Sequence, residues 1–261
     1  MYRFNCSVYP YIKGFLYVVL FYPIASSALA PSPLNITIVT ESLPPLQFED
    51  DNGEAKGAMV ELVEAIIDDA GIQGEIKVLP WARAFQIAKT YPNTLIFSIM
   101  KTPKRQPQFN WIGTIYHANV YLIKLKRLQH LQLNTIKDAL KYKVGVIRLD
   151  ISQEYLLGHG FRLDENLLTS VGYQGLWQLL YKNNIDFLLA NKFMWQLEAS
   201  DPSLNNQPIE IALELKDFAT NYYLATSKNT SPEITKKLTE SLEKIKKSGQ
   251  YQSILAKWQL D

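Results

Sequence analysis

Hydrophobic and polar positions follow two alternating periods along most of this chain. From Asn35 to Glu41 they alternate singly and are rich in Ile, Val and Thr, which predicts a strand. Met59, Leu62, Val63, Ile66, Ile67 and Ala70 then recur at helical spacing, and Gly71 ends the stripe. Glu75 to Leu79 predicts a second strand, Trp81 to Lys89 a helix and Thr94 to Ile99 a third strand. The rhythm restarts at Val144 with a strand to Leu149, a helix from Ser152, a weak strand near Leu168 to Val171 and a helix from Gln174 to Lys182. A strand at Ile185 to Ala190, a helix from Asn191 to Glu198 and a strand at Ile209 to Leu215 follow. Tyr222 to Thr226 predicts a further strand, Ser231 and Pro232 open a long helix, and a last helix follows Gly249. Between the two series, Tyr116 to Leu125 is β-like and lacks the Gly/Ser composition of a floppy linker. Strands and helices in this alternation predict parallel pairing with right-handed crossovers, so the fold class is α/β, in two units.

The first thirty residues carry Arg3 and Lys13 but no acidic residue, then an apolar run from Gly14 to Ile24, then Ala25, Ser26, Ser27, Ala28 and Ala30. This reads as a secretory signal peptide over 1–30, cleaved better after Ala28 than after Ala30, where Pro31 would follow the cut. The run is shorter than the ~20 residues of a membrane-spanning helix. Cys6, the single cysteine, precedes it, so the mature chain has no disulfide and relies on its core. Of 27 basic and 25 acidic residues, Arg3 and Lys13 leave with the leader, so the mature chain is formally neutral at 25 against 25. Neutrality without long basic runs argues against nucleic acid or an anionic membrane as the main partner. His117, His130 and His159 are scattered without metal-ligand spacing, and Gly158-His159-Gly160 lacks the rest of a phosphate loop. The reading is of no cofactor, no metal and no enzyme.

The most informative stretch is LIFSIMKTPKRQPQFNW, Leu95 to Trp111. Thr102 is a good N-cap and Pro103 suits the first helical position, so a short turn would hold Arg105 just past a strand, aimed at a small carboxylate. In parallel α/β sheets ligands bind beyond the carboxyl ends of the strands. That rule selects Glu41, then Trp81 and Arg83, then Ser98 to Arg105, and in the second unit Asp150 to Ser152 and Asn191. Each has a plainer alternative. Glu41 could pair locally, Trp81 could be core, Arg83 a solvated helix residue, and Ser98 a partner of a neighbouring strand. Ser152 and Asn191 could be N-caps, and Tyr116 is a weaker candidate as a cleft-lining hinge residue.

Five segments in order, TESLPPLQFEDDNGEAKGAMVELVEAI (Thr40–Ile66), FSIMKTPKRQPQFNW (Phe97–Trp111), VGVIRLDISQEYL (Val144–Leu156), IDFLLANK (Ile185–Lys192) and the terminal SGQYQSILAKW, carry a resemblance. The chain resembles the extracellular solute-binding proteins of the polar amino acid type, the two-lobed periplasmic receptors of bacterial ABC importers. The resemblance implies two α/β lobes of the type II periplasmic binding protein kind, 31–117 with 222–261 and 118–221, joined near Tyr116 to Tyr121 and Phe218 to Tyr223. It implies a monomer that binds a small, carboxylate-bearing solute between the lobes and delivers it to an ABC permease, or reports it to a membrane sensor. A dehydratase-like enzyme, with Glu41 as general acid, is the remaining alternative. Arg105 would grip the carboxylate, aided by Ser98 and by groups near Ser152, while Glu41 and Asn191 would receive the amino group. Trp81 and Arg83 would add an aromatic wall and a second cation. Two positions depart from the family pattern: Met100 where a second Ser or Thr is usual, and Asn191 where an aspartate is usual. An amide accepts a hydrogen bond from an ammonium but supplies no charge.

Overall fold

The computed structural model describes residues 1, 5, 34–191, 194, 208–218 and 220–260. Most of the leader at 1–30 and of the helix expected from Asn191 to Glu198 lies outside these residues. Strand β1 (Leu34–Thr40) opens the described core, and a hairpin of β2 (Phe48–Glu49) and β3 (Ala55–Lys56) follows. Then come α1 (Ala58–Asp69), β4 (Ile72–Val78), α2 (Trp81–Thr90), β5 (Thr94–Met100) and β6 (Phe109–His117). The second series is β7 (Val120–Leu125), β8 (Val144–Ile147), α3 (Ile151–Gly158), β9 (Leu167–Ser170), α4 (Tyr173–Tyr181), β10 (Phe187–Asn191) and β11 (Ile209–Glu214). The chain closes with β12 (Asn221–Ser227), α5 (Pro232–Ser248) and α6 (Gln250–Lys257).

Two five-stranded sheets result, ordered β4-β1-β5-β12-β6 and β11-β7-β10-β8-β9. The chain passes between them after His117 and again after Leu215, and the two passages run side by side: the Thr220 carbonyl accepts from Ala118 N–H at 3.0 Å. Helices α1, α2 and α5 pack on the first sheet, with α6 against α1 and α5, and α3 and α4 pack on the second. The return of α5 and α6 to the first sheet is fixed by Tyr251, whose hydroxyl donates to the Ile115 carbonyl at 2.9 Å.

The strands expected to be parallel are so only in part. β1 pairs in parallel with β4 and β5, and β8 with β9 and β10. β12 is antiparallel to both β5 and β6, and β7 to both β10 and β11. The chain enters the second sheet through β7 and leaves it through β11, so these passages need no crossover helix and run antiparallel to their neighbours. The connector expected over Tyr116 to Leu125 is the junction of two strands. β6 lies hidden in sequence because the polar or small residues Asn110, Gly113 and Thr114 interrupt its period of two.

Helix α1 has no side-chain cap. Its first free N–H groups, of Ala58 and Met59, donate to the Pro45 and Leu46 carbonyls at 3.2 and 2.7 Å. The backbone loop 43–47 therefore does the capping, and it can come that close only because residue 57 is glycine, with φ near +125°. A Cβ there would lie 2.4 Å from the Leu46 carbonyl oxygen. Gly57→Ala should cost about 1–3 kcal/mol or more in denaturant unfolding. Gly158→Ala, at a position with open space around it, should cost nothing measurable.

Candidate functional site

A cavity lies where the carboxyl ends of β1 and β5 in one sheet meet those of β8 and β10 in the other. Its walls include Glu41, Trp81, Ser98 and Met100 from the first sheet's side, and Asp150, Ile151, Tyr173 and Asn191 from the second's. Val120, Phe218 and Tyr222 close it along the two passages. Walls from both sheets thus face one narrow space.

Each wall residue is set by a local device. β12 skips one residue of β5, pairing Tyr223 with Ile99 and Leu224 with Phe97, so Ser98 is left bulged with φ near +58°. The bulge frees Ser98 from the ladder, and its hydroxyl donates to the Gln47 side-chain oxygen at 2.9 Å. Trp81 is the first residue of α2, and its ring N–H donates to the Leu149 carbonyl at 2.9 Å, joining the two sheets. Asp150, not Ser152, is the N-cap of α3: its carboxylate accepts from Ser152 N–H at 3.4 Å and from the Ser152 hydroxyl at 3.0 Å.

Arg105 sits on the turn the sequence predicts, with the Thr102 hydroxyl accepting its backbone N–H at 3.1 Å. It is 2% exposed. Its guanidinium carbon lies 4.9 Å from the Trp81 ring centre and 5.2 Å from that of Phe85. Nη1 donates to the Met100 carbonyl at 3.3 Å, Nη2 stands 3.9 Å from the Asp150 carboxylate, and buried Nε has no hydrogen-bond partner. Arg105 is therefore beside the cavity, with Asp150 forming the wall.

Of the residues selected from sequence, Glu41, Trp81, Ser98 and Asn191 line the cavity together. Asn191 is also committed elsewhere: its oxygen accepts from Met194 N–H at 3.1 Å and its amide nitrogen lies 3.5 Å from the Tyr222 hydroxyl. Three others are not brought there. Arg83 is exposed on α2. Tyr116 is buried, its hydroxyl donating to the Leu260 carbonyl at 3.4 Å. Ser152 is buried beneath Asp150, which takes its hydroxyl. Sequence reasoning placed Asp150 at a selected strand end and Phe218 and Tyr222 in a crossing segment without proposing any of them as a ligand contact, and it gave Tyr173 no role. Asp150 stood at a selected strand end, and its capping chemistry was the signal for it. Tyr173 follows the weak strand β9, and Phe218 and Tyr222 reach the cavity only through the second passage. Among the described residues no three His, Cys, Asp or Glu gather as metal ligands.

Two carboxylates face this space against one buried guanidinium. Burial raises the Glu41 pKa well above the usual 4.5, and the Asp150 charge raises it further, partly offset by Arg105. Burial likewise raises the hydroxyl pKa values of Tyr173 and Tyr222, which stay neutral donors.

A two-sheet α/β scaffold with a polar and aromatic cavity at facing strand ends offers a place for a small solute between the sheets. The chain belongs to the bacterial extracellular solute-binding proteins, family 3, whose pattern it matches over residues 36–261. Among curated protein sequences none matches it significantly. Solved structures share the fold at low identity. One is a histidine kinase sensor domain similar to periplasmic binding proteins (24% identity, TM-score 0.75, covering 87% of this chain and 96% of that one). Another is an ancestral arginine-binding protein bound to arginine (21%, 0.73, 86% and 97%). A third is an amino acid ABC transporter substrate-binding protein from Streptococcus pneumoniae bound to L-arginine (19%, 0.71, 86% and 94%).

Glu41 gives a pH test. A carboxyl whose folded pKa is raised contributes stability that is complete below its unfolded value, about 4.3, and is lost as pH rises through the folded pKa. The stability difference between Glu41→Gln and the wild type should therefore grow in favour of the variant from pH 4.5 upward. Urea unfolding at a series of pH values reads it, and a difference independent of pH would remove Glu41 from the buried charge cluster.

Proposed function

We propose that this chain is a periplasmic solute receptor whose two lobes, 31–117 with 222–261 and 118–221, close on a small polar solute of the amino acid class or a related compound. The observation that carries the reading is the cavity itself. Its walls come from both sheets of a family 3 solute-binding chain, so one solute can bind both lobes at once only when they are closed. Binding then favours closure by the differential contacts that the closed state completes. Glu41, Trp81, Ser98 and Asn191 are the lining residues proposed to touch the solute, with Arg105 supporting them from beside the cavity. The closed form would be presented to an ABC permease in the inner membrane.

A second reading, a sensor that presents its closed form to a membrane signalling protein, is supported by the likeness to a histidine kinase sensor domain. The site is the same in both, and only the surface that meets the membrane partner differs.

The test is a solute panel of amino acids, amines, organic acids and small peptides, read by thermal unfolding and by small-angle scattering. A true ligand at about 100 times its dissociation constant should stabilise the protein by roughly 2.7 kcal/mol and reduce its radius of gyration. A panel that yields neither stabilisation nor compaction sinks the receptor reading.

A further inference from the structure

The turn that follows β8 holds a strain that its own side chain does not explain. Leu149 has φ near +61°, a left-handed conformation that leucine rarely adopts, yet its side chain is 60% exposed and gains little by packing. What the conformation sets is the backbone. Arg148 N–H donates to the Ser170 carbonyl at 2.8 Å, Asp150 N–H to the Ile147 carbonyl at 3.3 Å, and Leu149 N–H to the Gln153 side-chain oxygen at 2.7 Å. Each of these bonds stays within the second sheet and α3, so the turn keeps its shape when the sheets part. The Leu149 carbonyl faces the first sheet, where it accepts from the Trp81 ring N–H at 2.9 Å. An indole N–H can only donate, and Trp81 is buried, so this carbonyl is what satisfies it once the sheets meet.

We propose that the Leu149 turn is a preformed catch for closure: the Trp81 ring N–H engages the Leu149 carbonyl without any solute, and Gln153 is the positioning residue that holds that carbonyl in place. The inference rests on the receptor reading of two closing lobes and adds to it a closed population in the ligand-free protein. Gln153 does not line the cavity, so it acts on closure only through the turn. The catch is one neutral hydrogen bond exchanged against water. It therefore biases closure by a small factor and leaves the rest to a solute.

The experiment reads the distance between the lobes without solute. Cys6 is the only cysteine, so spin labels at Lys89→Cys and Lys182→Cys in a Cys6→Ser background report it; both lysines are exposed, one on α2 and one just past α4. The protein should show a short-distance population, and Trp81→Phe, which keeps a ring and deletes the N–H, should lower the ratio of short to long distances about two- to tenfold. Gln153→Met should lower it by a similar factor. Added to Trp81→Phe, it should lower the ratio no further, because both changes break the same bond. A looser fit of the smaller ring, or a purely structural Gln153, gives factors that multiply instead. Equal populations in the wild type and Trp81→Phe overturn the catch, and so do multiplying factors in the double variant. If Trp81→Phe does not fold, Gln153→Met alone makes the comparison, and its equality with the wild type overturns the catch. The receptor reading fails separately, when no solute of the panel shifts these distances in the wild type.

Discussion

The burial of one guanidinium governs the rest of this site. Taking an isolated charge out of water costs many kcal/mol, so Arg105, at 2% exposure, demands compensation from whatever surrounds it. Two aromatic rings and the Met100 carbonyl come from its own sheet's side, but the carboxylate nearest it among the described residues, Asp150 at 3.9 Å, comes from the other. The ion pair therefore ties the electrostatics of the first sheet to the geometry of the second. Asp150 is held for this task by Ser152, whose N–H and hydroxyl both donate to it, and by its place at the start of α3. The buried Glu41 carboxyl faces the same cavity, its pKa raised by burial and by Asp150 and lowered by Arg105.

The backbone is arranged to leave these groups free. Within a regular ladder Ser98 would be locked between strands; the bulge opposite β12 turns it out, and Gln47 meets it. Gln47 in turn lies in the loop whose carbonyls cap α1, which exists in that form because Gly57 admits the close approach. A helix start, a loop and a bulged strand are thus linked to one wall of the cavity. The loop's contacts offset both costs, the Gln47 side chain meeting the strained Ser98 and the Pro45 and Leu46 carbonyls the open end of α1.

The strands and helices were legible because each carries its own periodicity, and the strand-end rule drew Glu41, Trp81, Ser98 and Asn191 to one place without any knowledge of pairing. Arg105 was legible as a turn residue but not as a buried one. Its burial depends on Phe85 and Asp150, which lie 20 and 45 positions away in sequence and signal nothing locally. The same limit hid the antiparallel strands: β12 pairs with β6 over a separation of about a hundred residues, and only the return of the chain from the second sheet sets its direction. Ser152 was misplaced by one step of reasoning, since a serine near a helix start competes with any acidic neighbour for the cap. Asp150 has the stronger acceptor and takes it.

Closure in such a protein is a balance of small terms. Between the sheets run the Trp81 to Leu149 hydrogen bond, the Arg105 and Asp150 pair, and the Lys104 and Glu154 bridge at 3.1 Å. The last is exposed and contributes at most about 1 kcal/mol. The hydrogen bond adds a similar net amount. Contacts of this size bias an equilibrium without fixing it. A solute that met only one sheet would shift nothing, however tightly it bound. Glu41 and Asp150 stand on opposite sheets, and burial makes Glu41 costly to keep charged. A solute that touches residues of both sheets is the kind of ligand that shifts such a balance, because its contacts are complete only when the sheets are together.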